Sequence, residues 1–152
     1  MSDAKHIGVL MGGWSPEREV SLISGAQCAA ALRELGYRVT EIDATRALDQ
    51  QLAEVKPDIC FNALHGVGGE DGEVKGLLEV LQNPYTHSGV RASALAMDTH
   101  LSKHILAAMD PPIAASILVD NGRVHGHRMQ SPYAVTPGNE GTGEGLRSGG
   151  RE

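Results

Sequence analysis

Two side chains in this sequence are placed to act on a small molecule. Glu17 follows a glycine turn in the run Gly12-Gly13-Trp14-Ser15-Pro16-Glu17, and His65 follows the apolar run Ile59 to Leu64. A carboxylate in the first turn of a helix repels phosphate and suits a cationic group, such as a substrate ammonium, or holds a hydroxyl in place. Its commoner role is to balance the helix dipole. A histidine at the carboxyl end of a parallel strand can face a cleft beyond the sheet edge. Its commoner role is to close the strand as a loop residue. The dinucleotide spacing G-x-G-x-x-G is absent from the glycine turn, so a phosphate cradle is not the expectation there.

Other candidates are weaker. Glu70-Asp71, flanked by Gly68, Gly69 and Gly72, suggests Mg²⁺, but a turn with a helix cap at Asp71 is the preferred reading. His100 and His104 stand four apart and make half a zinc site; without a third ligand a solvated helix face is favoured. His125 and His127 carry still less. Cys28 and Cys60 read as small core residues in a reducing compartment.

These residues need elements to hold them. Ile7, Val9 and Leu10 form a buried strand, Gly12-Gly13 a turn, and Ser15 an N-cap with Pro16 at the first helical position. The helix runs over 17–35, with Val20, Ile23, Ala26, Ala29 and Ala30 expected on its packed face and Gly36 ending it. A second strand covers 37–43 and a short helix 46–55. The third strand, 59–64, is apolar enough to be buried on both faces, and it delivers His65. A helix over 72–82 shows a stripe of Val74, Leu77, Leu78 and Leu81. An extended piece follows at 84–86, then helices at 88–97 and 99–109, the latter with Leu101, Ile105 and Ala108 inward. Residues 113–119 are strand-like and 120–122 a turn. Strand, turn and helix in this order imply a Rossmann-like parallel α/β sheet of about four strands. Its ligand site lies beyond the strand ends, where Glu17 and His65 share one edge.

Composition narrows the class. A length of 152 residues suits one domain with a real core, and 41% hydrophobic residues is ordinary for a soluble protein. A net charge of −6 without basic runs argues against nucleic acid and against an anionic membrane surface. No signal peptide or membrane-length apolar run is visible, so a cytoplasmic location is expected.

The stretch GGWSPEREVSLISG resembles the first signature of the D-alanine–D-alanine ligases, ATP-grasp enzymes of peptidoglycan synthesis and hence of cell wall and cell shape. ALHGVGGEDGEVKGLLEVLQNPYTHSGVRASALAMD, from Ala63 to Asp98, resembles the next signature. The resemblance implies ATP-dependent joining of two D-alanines through a D-alanyl phosphate. It implies that Glu17 contacts the first D-alanine's ammonium, that Val20 lines the same pocket, and that His65 lies near the substrate carboxylate and the tetrahedral intermediate. It further implies ATP, Mg²⁺ (or Mn²⁺) in the full-length family, and a homodimer through the N-terminal domain. No metal ligands are identifiable in this chain, because the family's lie near the far end of a full-length protein.

The family pattern also breaks. Lys75 stands where glutamine is usual, Asn83 where an aliphatic is, His87 where glycine is, and Thr99 where a phosphate-binding lysine is. Lys103 matches a second family lysine with no assignable role. In SPYAVTPGNEGTGEG, a remnant of the phosphate loop, Thr136 replaces the ATP-binding lysine and Thr142 the serine that partners a glutamate. Each lost charge-assisted contact costs about 1.5 to 3 kcal/mol. The expectation is therefore an N-terminal substrate-binding α/β domain at 1–97, an incomplete start of the ATP-grasp central domain at 98–137, and a disordered glycine-rich tail at 138–152, with a truncated or frameshifted end. Such a chain is expected to be inactive alone. The alternative is a non-catalytic D-alanine-binding or dimerisation module.

Overall fold

A computed structural model describes residues 4–114, 116, 133–135 and 147–149. Its backbone divides into two compact units, 1–94 and 95–152. In the first, β1 (His6–Gly12), β2 (Arg38–Ala44) and β3 (Ile59–Asn62) form a parallel sheet in the order β2-β1-β3. Ile7 pairs with Val39 on one side and Ile59 on the other. The expected fourth strand is reduced to one parallel bridge between Cys60 and Tyr85, with Cys60 N–H donating to Pro84 O at 2.8 Å and Thr86 N–H to Cys60 O at 3.0 Å. His87 turns the chain out of that bridge at φ +85°, which ends the pairing.

Helix α1 is Arg18–Glu34, starting later than expected. The reason is local. Ser15 Oγ accepts from Glu17 N–H at 2.9 Å and Ser15 O accepts from Arg18 N–H at 3.1 Å, so Ser15 and Pro16 are spent on a turn. Glu17 itself becomes the N-cap residue. At the other end Gly36 takes φ +87°, and Tyr37 N–H reaches back to Leu32 O in a Schellman closure.

Of the face expected for α1 only Ala29 is buried. Ser21, Gly25 and Ala29 are buried, while Val20 and Ile23 are 54% and 62% exposed. Closeness decides this, not hydrophobicity. A Cβ on Gly25 would lie 2.5 Å from the Met11 Cβ, so the helix rests directly on β1. Ser21 Oγ donates to Ala63 O at 2.7 Å in the same contact.

The sheet's other face is covered by α2 (Leu48–Val55) and α3 (Glu73–Val80). Leu10, Ile42, Leu48, Leu52, Cys60, Leu64, Val74 and Leu78 form one core there; Ile7, Val9, Ala29 and Ala63 form the other beneath α1. Each fully buried leucine contributes about 1.5 to 3 kcal/mol. Within the expected stripe of α3, Val74 and Leu78 are buried and Leu77 partly so, while Leu81 is 40% exposed. Strand β3 departs from burial on both faces: Ile59 and Phe61 are only half-buried and line an open apolar recess of about 290 Å³ with Ile7, Leu32 and Tyr37.

Cys60 lies in the core with no exposed surface. Burial pushes its thiol up from 9.0 to about 11. The unfolded chain loses this proton first, so the thiol's contribution to stability is complete below pH 9 and is lost as pH rises from 9 to about 11. Cys60→Ala is expected to flatten that part of the urea-denaturation profile against pH. An unchanged alkaline slope would contradict it.

Helices α4 (Val90–Met97) and α5 (Thr99–Ala107) follow. Asp98 caps α5 by accepting from Leu101 N–H at 2.8 Å. The expected inward face of α5 is corrected: it has no buried residue, and Leu101 and Ile105 are 43% and 45% exposed. Lys103 gains a structural role, its Nζ donating to Ala114 O at 3.2 Å. Ile113, Ala114 and Ser116 carry no regular structure; the expected strand's other residues and the 120–122 turn lie outside the described residues. In the tail expected to be disordered, β5 (Arg147–Gly149) pairs antiparallel with β4 (Tyr133–Val135). Backbone pairing needs no apolar side chain, which is why composition gave no sign of it.

Candidate active site

The carboxyl ends of β1 and β3 deliver their loops to one edge of the sheet. Gly12, Gly13 and Trp14 from the first loop, with Leu64, His65, Val67, Gly68 and Gly69 from the second, line a common cleft. Gly12 and Gly13 both take positive φ, +76° and +81°. Arg18 closes over this turn, with Nη1 and Nη2 each 2.7 Å from a carboxylate oxygen of Asp43 and Nη1 also on Gly13 O. A Cβ on Gly12 would run into Asp43 Oδ1. The fork holds the Asp43 carboxyl below its ordinary range and raises the Arg18 guanidinium. Arg18 therefore serves the shape of the turn.

Glu17 is half-buried and faces the second loop. A Cβ on Gly66 would come within 2.7 Å of Glu17 Oε2 and 2.9 Å of Ser15 Oγ, so the carboxylate lies directly against the residue after His65. His65 is held at one nitrogen, Nε2 lying 3.1 Å from Ser24 Oγ, while Nδ1 is 3.9 Å from Glu70 Oε1, beyond hydrogen-bond distance. The loop beneath is tied down throughout. Glu70 Oε2 accepts from Gly66 N–H at 3.0 Å, and Asp71 accepts from Gly68 and Glu73 N–H. Buried Asn62 donates to Gly69 O at 2.9 Å, and its own oxygen accepts from Leu64 N–H. Trp14 supports the loop's glycines, since a Cβ on Gly68 would lie 2.6 Å from the indole, with Arg46 stacked 4.3 Å over the ring.

The structure thus brings the Glu17 carboxylate against Gly66, beside His65, and of the two only His65 lines the cleft. Val20 does not line that cleft; it sits exposed on α1. Thr136 and Thr142 lie outside the described residues. Asp71 is used inside the turn, and the N-cap of α3 by backbone geometry is Gly72. His104 Nδ1 bonds its own helix at His100 O, 2.9 Å away. Sequence reasoning missed Ser24, Asn62, Trp14 and the second role of Glu70. The available signal for Ser24 was the small-residue stripe Ser21, Ser24, Gly25 and Cys28, which follows the helical period as well as the aliphatic one does.

Among the described residues no three His, Cys, Asp or Glu side chains converge as a metal-holding group. The start of α1 carries Glu17 and Glu19, which does not suit a phosphate. No described helix is long and apolar enough to cross a membrane.

Fold and site define a parallel α/β module that presents a carboxylate and an imidazole beyond its strand ends. The D-alanine–D-alanine ligase of Parvibaculum lavamentivorans is 58% identical over 147 residues, covering 96% of this chain and 48% of that protein. That of Brucella anthropi is 54% identical over 143 residues, covering 93% and 46%. Among solved structures, the D-alanine–D-alanine ligase from Bacillus anthracis complexed with ATP superimposes with a TM-score of 0.64 at 40% identity, over 71% of this chain and 36% of that one. The enzyme from Coxiella burnetii gives 0.62 at 27% identity, over 75% and 44%. No family model matches. The chain belongs to the D-alanine–D-alanine ligase family, and it spans about half the length of the curated relatives it matches.

Proposed function

We propose that this chain is the part of a D-alanine–D-alanine ligase that holds the first D-alanine. The observation that carries the reading is the contact of the Glu17 carboxylate with the turn after His65. Glu17 takes the substrate ammonium as a charge-assisted hydrogen bond. His65, held at Nε2 by Ser24, donates from Nδ1 toward the substrate carboxylate and the negative charge that grows on it during attack. Val20 lines the same pocket in the assembled enzyme.

In that enzyme ATP activates one D-alanine carboxylate as an acyl phosphate, and the amine of the second D-alanine displaces phosphate. The product feeds peptidoglycan synthesis in the cytoplasm. Among the described residues no group fits Mg²⁺, and the acids at the start of α1 do not suit the ATP phosphates. ATP would be held by an ATP-grasp region, of which 98–137 is the start and Thr136 and Thr142 are remnants. A homodimer through the first unit belongs to the same proposal, and the open recess at Ile59 and Phe61 offers apolar surface for it.

Because threonine stands at both phosphate-lysine positions, Thr99 and Thr136, the 152-residue chain is expected to bind D-alanine yet to release no phosphate from ATP in its presence. Isothermal titration and a phosphate-release assay read the two parts. Release that vanishes in Glu17→Gln would contradict the second part, and a folded chain that ignores D-alanine would sink the first.

A further inference from the structure

Lys75 is a lysine at 5% exposure on α3, where the apolar stripe gave no reason for one. Its Nζ donates to Ser93 Oγ at 2.9 Å and lies 3.4 Å from Glu70 O. Ser93 is equally buried and passes the link on to Ser88 O at 3.2 Å. Neither partner is charged, so hydrogen bonding alone leaves the ammonium without a counter-ion. The carboxylates that act on it are Glu70 and Asp71 of the loop that carries His65; burial lowers its pKa and those two acids oppose the lowering. On its own helix Glu73 and Glu79 are exposed, and α4 offers it the Ser93 hydroxyl.

The same two acids hold the loop's backbone. Glu70 ties Gly66 and Asp71 ties Gly68, so two negative charges sit under one short glycine loop. A cation beneath the loop offsets the repulsion between them. We propose that Lys75 is a positioning residue, the internal counter-ion of Glu70 and Asp71 that keeps the His65–Asp71 loop seated on Trp14. The residue is neutral glutamine in the family's usual pattern, so this chain carries within its own fold a charge that the pattern lacks. The loop's bearing on D-alanine rests on the function proposed above; its seating on Trp14 does not.

Trp14 is the chain's single tryptophan and lies against Gly68, so its exposure reports the loop directly. Acrylamide quenching of Trp14 at neutral pH and low salt is the measurement, on the full chain without ligand. Lys75→Gln keeps a hydrogen-bonding amide of a size the fold accepts and removes only the charge. It is expected to raise the quenching constant about twofold. Adding Glu70→Gln, which still accepts from Gly66 N–H, is expected to return it to the wild-type value. Quenching unchanged in Lys75→Gln, or a rise that Glu70→Gln does not reverse, would overturn the proposal. If Lys75→Gln alone does not fold, a folded double variant by far-UV circular dichroism supports the proposal and an unfolded one overturns it.

Discussion

Glu17→Gln is expected to weaken D-alanine binding by about 30- to 150-fold while leaving the fold intact, the loss of one charge-assisted hydrogen bond of about 2 to 3 kcal/mol. The carboxylate lies against Gly66, and glutamine fills the same volume there without the charge. Glu17 caps α1 through its backbone only, with no side-chain cap bond, so the helix start does not depend on the carboxylate. Titration of D-alanine into wild type and variant, followed through the amide signals of Gly66 and Gly68, measures the ratio. Equal affinities would remove Glu17 from the site and leave it as a dipole partner.

The second large effect concerns the fold. Gly25→Val is expected to destabilise the first unit by about 3 kcal/mol or more in urea denaturation, at the upper end of what overpacking costs. A single Cβ already falls 2.5 Å from the Met11 Cβ, and β1 is the central strand, so neither partner can retreat. Lifting α1 would also break the bond from Ser21 to Ala63 O and the contact of Ser24 with His65. Stability loss and loss of D-alanine binding should therefore appear together in this variant and separately in Glu17→Gln. A Gly25→Val chain as stable as wild type would show that α1 is not seated through this contact.

These two residues also mark what could be read in advance. The shared edge of Glu17 and His65 was legible because βα connectivity fixes which ends of parallel strands face the site. The packed face of α1 was not. Its buried side is Ser21, Gly25 and Ala29, chosen for close approach and one hydrogen bond, whereas the aliphatic Val20 and Ile23 are exposed. A reading by hydrophobic period follows the bulkier residues and turns the helix the wrong way. Lys75 escaped for a related reason: its partners, the Ser93 hydroxyl and the Glu70 carbonyl, lie eighteen and five residues away and leave no periodic trace. On α5 the period was right and the burial was not, since Leu101 and Ile105 stay exposed.

Family membership is carried by identity to relatives about twice the length of this chain. The proposal that the first D-alanine sits between Glu17 and His65 depends on the geometry of one loop. The most direct test is a nuclear magnetic resonance titration of the wild-type chain with D-alanine and, separately, L-alanine. D-alanine is expected to shift the signals of Trp14, Glu17, Ser24 and residues 64–70, with L-alanine weaker by at least about tenfold. No shift from D-alanine in a folded sample, shifts confined to other surfaces, or equal response to both enantiomers would contradict it.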